Sequence, residues 1–270
     1  MPLHLGRAPT LRPGRPVLRR DATTLQVGLG ERPVLLPDRP AIGALLRHLD
    51  PTVASERTEP DLDDPEVTGA LRLLREAGHL VPDQPAARTP RPVGLIAHAP
   101  GIAERAAPLL GLAGLVHDDD RAQVCLVLSA GPLPRAESDR LVHDEVPHLL
   151  VGSLEGAWRI GPFVVPGLTA CLRCVDAHES ATDPRRSLLL AQAARAAREH
   201  PEPSDPLQEQ WALTWAARDL RTYLDGGEPG TWSTTVDLPA PEAQHSAPRT
   251  TRWLRHPECG CSWDLLVDLP

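Results

Sequence analysis

The stretch Gly161-Pro-Phe-Val-Val-Pro-Gly-Leu-Thr-Ala-Cys-Leu-Arg-Cys174 ends in a C-x-x-C pair, and Arg255-His-Pro-Glu-Cys-Gly-Cys261 brings a second pair 85 residues beyond Cys174. Two tight pairs, each read as borne on a hairpin, can offer one ion four thiolates, with zinc–sulfur distances of roughly 2.3 Å. The spacing of Cys259 and Cys261 is shorter than usual, but Gly260 between them frees the backbone. Three readings of Cys171, Cys174, Cys259 and Cys261 are open: a zinc site, a redox dithiol, or plain structural thiols. The N-terminus has arginines but no continuous apolar run behind them, so a cytoplasmic chain is expected, in which disulfides do not persist. That favours zinc. A closed four-sulfur shell leaves no coordination position for water or substrate, so its expected role is to fasten the C-terminal strands onto the preceding sheet. Cys125, inside an apolar run, reads as a core side chain, and His256 as a neighbour of the shell or a surface residue.

Working back from the first pair, residues 158–165 read as a hairpin arm and 146–151 as a strand. Residues 93–97 and 122–128 read as buried-type strands flanking a helix over 102–112, a βαβ-like pattern. Forward from Cys174, Asp183-Pro184 and Asp205-Pro206 each open a helix. Leu213, Ala216, Ala217, Leu220 and Leu224 share one face of the second, and Gly226 stops it. Residues 231–238 and 250–254 are strand-like and lead into the second cysteine pair. This half is expected to be a Rossmann-type α/β domain over residues 93–270.

Residues 81–92 (VPDQPAARTPRP) contain four of the 31 prolines and are read as a linker at 83–92. Ahead of it, residues 16–19, 24–27 and 33–36 alternate with Gly28, Gly30 and Pro37, which gives three short strands. Asp38 is expected to cap a helix with Ile42, Leu45, Leu46 and Leu49 on its apolar face. Asp64 and Pro65 open a second, with Val67, Ala70, Leu71 and Leu74 inward and Gly78 as its stop; Leu80 and Val81 look like a returning strand. Together, residues 1–82 make a winged-helix-like α+β domain.

The chain of 270 residues carries a net charge of -8 and contains no lysine, all 28 of its cations being arginine. The acidic balance argues against a general nucleic-acid binder, and no run is long and apolar enough for a membrane helix. Absence of lysine removes a Schiff-base lysine, a phosphate-loop lysine and a lysine general base. The arginines at 7, 12, 15, 19 and 20 form a basic arm, read as a solvated tail with an acidic peptide as the alternative partner.

Residues 161–174, the helices ending at Leu224-Asp-Gly226, and residues 255–261 together resemble the ThiF-like, ubiquitin-activating-type proteins of azole-forming peptide biosynthesis. Residues 15–37 resemble the leader-peptide recognition element that precedes that domain. The resemblance implies that the winged helix binds the leader of a ribosomally made precursor peptide as an added strand. A YcaO-type cyclodehydratase then acts on the peptide, and members pair as homodimers through the sheet domain. The implied peptide edge lies near Val34, Leu35 and Leu36. Helix 66–77 forms the other wall, where Leu71 seats apolar residues and Arg72 and Arg75 meet acids.

Relatives that adenylate a carboxylate use a glycine-rich turn after the first strand. Here that turn is Ala97-His-Ala-Pro-Gly101, in which Pro100 has no N–H, and His117-Asp-Asp-Asp120 crowds acids nearby. ATP is therefore not expected, and the domain reads as degenerate. Two other functions stay open: an adenylating or sulfur-transfer enzyme, and a winged-helix DNA-binding regulator. The helix carrying Arg72 and Arg75 also carries Glu66 and Glu76, too balanced for phosphate contacts.

Overall fold

The computed structural model describes residues 9–50, 60–81, 89–200, 205–241, 247–257 and 259–262. The chain splits into two compact units, Met1–Arg88 and Thr89–Pro270. Arg7 of the basic arm and residues 83–88 of the expected linker lie outside the described residues.

In the first unit, β1 (Thr10–Leu11) is followed by β2 (Val17–Arg19), β3 (Thr24–Val27) and β4 (Val34–Pro37). Helices α1 (Pro40–Leu49) and α2 (Pro65–Glu76) and strand β5 (Leu80–Val81) complete it. β2, β3 and β4 form an antiparallel sheet with β3 in the centre, so β4 is an edge. The apolar spacing in α1 places Ile42, Leu45, Leu46 and Leu49 in one core with Val27, Leu36, Val67 and Leu74. Two sequence expectations need correction. Arg39, not Asp38, is the N-cap of α1, because the Asp38 carboxylate is drawn 2.6 Å from the Arg19 guanidinium. β5 pairs not with the three-stranded sheet but with β1, a strand too short and too isolated among prolines to stand out in the sequence.

The second unit begins with β6 (Arg91–Ala97), α3 (Ile102–Leu112), β7 (Leu115–His117), β8 (Cys125–Ser129), α4 (Arg135–His143), β9 (His148–Leu154) and β10 (Ala157–Val164). It continues through α5 (Leu172–Thr182), α6 (Arg186–Glu199), α7 (Pro206–Leu224), β11 (Thr234–Leu238) and β12 (Arg249–Arg252). One mixed seven-stranded sheet has the order β12-β11-β10-β9-β8-β6-β7. β7, β6, β8 and β9 are parallel, and β9 to β12 are antiparallel.

Strand β6 starts two residues before the apolar run, inside the expected linker. The Arg91 N–H bonds Gly114 on the β7 side, so Pro92 turns its missing donor toward β8, whose pairing begins only at Gly94. Three elements escape the sequence reading. β7 is three residues long; α4 buries only Ser138 and Leu141; and the start of α5 coincides with the cysteine pair. α3 and α7 cover one face of the sheet, sharing a core with Val93, Leu126, Ile160 and Val236. The cluster on the other face joins Val127, Leu150 and Val164 to Leu141 of α4 and Leu172 of α5.

His148, fully buried, accepts a hydrogen bond at Nε2 from the Ser138 hydroxyl (3.1 Å) and donates from Nδ1 to the Val146 carbonyl (2.8 Å). Burial pushes its pKa down from 6.5 to about 4. The folded state therefore keeps the ring neutral while the unfolded chain takes up the proton first. Stability contributed by this site falls as pH drops from 6.5 to about 4, by about 3 kcal/mol in all, and is flat below that. Urea denaturation at stepped pH checks this: the extra slope between pH 6.5 and 4 in the wild-type chain is absent from His148→Gln.

Candidate functional site

Cys171 is the N-cap of α5 and Cys174 lies in its first turn, so the first pair sits at a helix N-terminus rather than on the expected hairpin. Spacing of three residues puts both sulfurs on one helix face, and the N-terminal end of the helix favours thiolate. Cys261 lies in the 3-10 turn Gly260–Ser262, just after Cys259. All four sulfurs lie within 4.8 Å of one another. Cys171 is 3.8 Å from Cys174 and 3.5 Å from both Cys259 and Cys261, and Cys174 is 3.4 Å from Cys261. Four sulfurs at 2.3 Å from a tetrahedral ion would be about 3.8 Å apart. The donor set therefore fits zinc with small adjustment. Among the described residues this is the one cluster of at least three candidate ligands close enough to share an ion.

The surroundings of the cluster hold it in place. The His256 backbone N–H points at Cys174 Sγ (3.3 Å), the Cys259 N–H bonds the His256 carbonyl, and Arg255 donates to the Cys261 carbonyl (2.6 Å). His178 bonds the Leu254 carbonyl, and its ring meets the His256 ring edge-on at 5.0 Å. His256 thus contributes through its main chain and through ring packing. The neighbouring Cys174 and Cys261 thiols, then burial, push the Cys171 thiol upward, and burial pushes Cys259 up to about 12. A divalent cation reverses that preference, since its charge favours thiolate. Cys125 is buried in the sheet with its thiol pushed up to about 12 by desolvation, away from the cluster.

In the first unit, β4 is paired on one side only among the described residues. Val34 and Leu36 point into the core, whereas Leu35 between them is 49% exposed. Only Leu35 of the three offers its side chain; the others offer their backbone. α2 packs near β4, with Leu71 half-buried against the core and Arg72 and Arg75 in solvent. Leu73, 44% exposed on the same helix, is an apolar contact that the core-facing pattern of the sequence did not single out.

At the end of β6 the turn 98–101 leads into the N-terminus of α3. Gly101 is left-handed (φ 72°) and caps α3, but the Arg105 guanidinium would lie 2.8 Å from a Cβ there and is itself committed to the buried Glu209 carboxylate. The nearby acids are tied down. Asp119 accepts from the Leu95 N–H (3.0 Å), filling in for the short β7, and from His117; its carboxyl is held below the usual range by those bonds. Asp118 is paired with Arg121.

Solved structures share this fold. The heterocyclase TruD superposes with a TM-score of 0.70 at 21% identity over 94% of this chain and 42% of its own. A heterocyclase in complex with substrate and cofactor gives 0.68 at 16%, over 94% and 39%. E. coli MccB with MccA gives 0.61 at 12%, over 94% and 99%. The chain thus spans about two fifths of the heterocyclase structures and nearly all of MccB. At these identities the likeness establishes the fold. No family model and no curated protein sequence matches. Among the described residues, no helix is long and apolar enough to cross a membrane.

Exposure orders the thiols. After chelator treatment at pH 8, iodoacetamide followed by peptide mass spectrometry should modify Cys259 and Cys261 at least about tenfold faster than Cys125, which reacts only on unfolding. Early labelling of Cys125 would contradict its buried position.

Proposed function

We propose that this chain is a non-catalytic partner in azole-forming peptide biosynthesis. Its N-terminal unit, a winged-helix-like domain over residues 1–82, takes the leader of a ribosomally made precursor peptide and delivers it to a YcaO-type cyclodehydratase. The remainder is a degenerate ThiF-like domain with one structural zinc ion. The unpaired edge of β4 with Leu35 exposed, flanked by α2, carries the reading. An extended peptide can complete the ladder there through main-chain hydrogen bonds, with Leu35, Leu71 and Leu73 as apolar contacts and Arg72 and Arg75 as partners for acidic residues. The shared fold with TruD and with MccB, which is seen bound to MccA, supports a peptide as the ligand.

The second unit supplies support rather than chemistry. Pro100 removes an N–H from the phosphate turn, Arg105 is engaged by Glu209, and the chain has no lysine to meet a phosphate. The four cysteines would hold zinc, which when bound leaves no open coordination position and so ties the turn at 259–261 to the start of α5. The protein would work in the cytoplasm, as a homodimer through its sheet domain.

Fluorescence polarisation with a labelled synthetic precursor leader peptide tests the edge. Leu35→Asp and the double variant Arg72→Glu with Arg75→Glu should each weaken binding about tenfold or more, equivalent to about 1.4 kcal/mol. Equal affinity in wild type and both variants would remove β4 and α2 as the site; pyrophosphate exchange dependent on ATP would favour an adenylating enzyme instead.

Metal analysis of the purified chain should return one zinc per chain. Cys174→Ser should lose it and lower the melting temperature of the second unit, because metal-binding free energy is folding free energy in such sites. A metal-free wild-type chain with an unchanged melting curve would end the zinc assignment.

A further inference from the structure

The order of the parallel strands turns at β6. From β6 the chain goes through α3 to β7 on one side, then crosses to β8 on the other. In open α/β sheets the crevice beyond the strand C-termini at such a point is where ligands bind. Here it is a cavity of about 850 Å3 between the turn after β6, residues 129–137 after β8, and α6. A second cavity, of about 240 Å3, reaches over β9 and β10 and shares Gly131, Pro132, Leu133, Arg135 and Leu190 with the first. The two make one elongated cleft.

Helix α6 is its roof. Leu190 is the single buried residue of this 14-residue helix, and Ala191, Ala194 and Ala197 line the cleft. Ala197 rests on the turn at Gly131, where a Cβ would come 3.0 Å from the alanine methyl. A helix of this length is marginal in water unless tertiary packing supports it, and one buried side chain is little support. A ligand in the cleft would bury the alanine face.

The walls specify the ligand. At the narrow end Leu133, Leu154, Trp158, Leu172 and Leu190 make an apolar chamber. The charges around the cleft are mostly neutralised in place: Arg135 by Asp176 (2.7 Å), Arg159 by Asp237 (2.6 Å) and Glu179 (2.9 Å), and Arg173 by Asp139 (2.7 Å). Arg198, in the last turn of α6, lines the cleft with no carboxylate partner among the described residues. One uncommitted cation beside apolar walls suits one negative charge on an apolar body. It suits a triphosphate less, because in the turn 98–101 Pro100 has no N–H, the His98 N–H is spent on the Leu128 carbonyl, and the neighbouring Arg105 is held by Glu209.

We propose that this cleft binds an amphipathic organic monoanion, an aromatic or alkyl body bearing one carboxylate, with the body against the sheet beneath α6 and the carboxylate at Arg198. The test uses the full chain and N-dansyl-phenylalanine as probe, its uncharged amide as control. The carboxylate probe should bind saturably, at least about tenfold tighter than the amide, and slow amide hydrogen exchange across residues 186–199. Ala194→Trp, which fills the cleft from an accessible helix face, and Arg198→Gln should each weaken binding about tenfold. Should Ala194→Trp misfold, Arg198→Gln still reads the anion contact. Equal binding of acid and amide, binding unchanged in the folded variants, unaltered exchange in α6, or displacement by equimolar ATP would each overturn the proposal.

Discussion

Four sulfurs packed within 4.8 Å of one another, contributed by segments 85 residues apart, set the condition on which the second unit rests. Sulfurs at 3.4 to 3.8 Å are too far apart for disulfides and too close to ionise together without a cation. The surrounding contacts hold the arrangement from outside: main-chain N–H and carbonyl groups of residues 254–261 bond Cys174, His178 and Arg255, and Trp253 donates to Thr235 on β11. The turn after β12 is therefore joined to the start of α5 by hydrogen bonds and by the contact of the four sulfurs. A metal ion held there would cross-link the chain over so long a span, where closure restricts the unfolded chain most.

The mixed sheet divides the labour. Its parallel half, β7, β6, β8 and β9, creates a crevice at the strand C-termini, and its antiparallel half, β10 to β12, carries the chain back to the cysteine cluster. The antiparallel half is tied to the helices beside it by carboxylate–arginine bonds that no local residue pattern announces. Arg159 on β10 reaches both Asp237 on β11 and Glu179 on α5, and Arg186 of α6 joins the same Glu179. Paired charges that are this well enclosed fix geometry more than they add stability, because desolvation offsets much of their attraction. With every cation an arginine, such forked two-point pairs are available throughout the chain.

The sequence by itself determined the elements whose apolar residues repeat with a clear period. Ile42, Leu45, Leu46 and Leu49 define α1, and Asp64-Pro65 with Gly78 bracket α2. The runs at 93–97 and 122–128 mark the central strands. It also marked the four cysteines, because C-x-x-C spacing is local. Periodicity is a record of burial on one face, so elements that bury almost nothing left no such record: α4 and the three-residue β7 went unmarked, and α6, with its single Leu190, was marked only by Asp183-Pro184 ahead of it.

Only the tertiary structure decided which partners those local signals would find. It placed Cys171 at a helix N-cap, turned Val34 and Leu36 inward while leaving Leu35 at an open edge, and gave Asp38 to Arg19 instead of to a helix cap. It also set the alanine face of α6 over the strand ends, which no residue pattern announces. The reason is common to all of these. Periodicity and capping are fixed by neighbours within a few residues, whereas ion pairs, strand edges and crevices depend on which distant segments the core brings together.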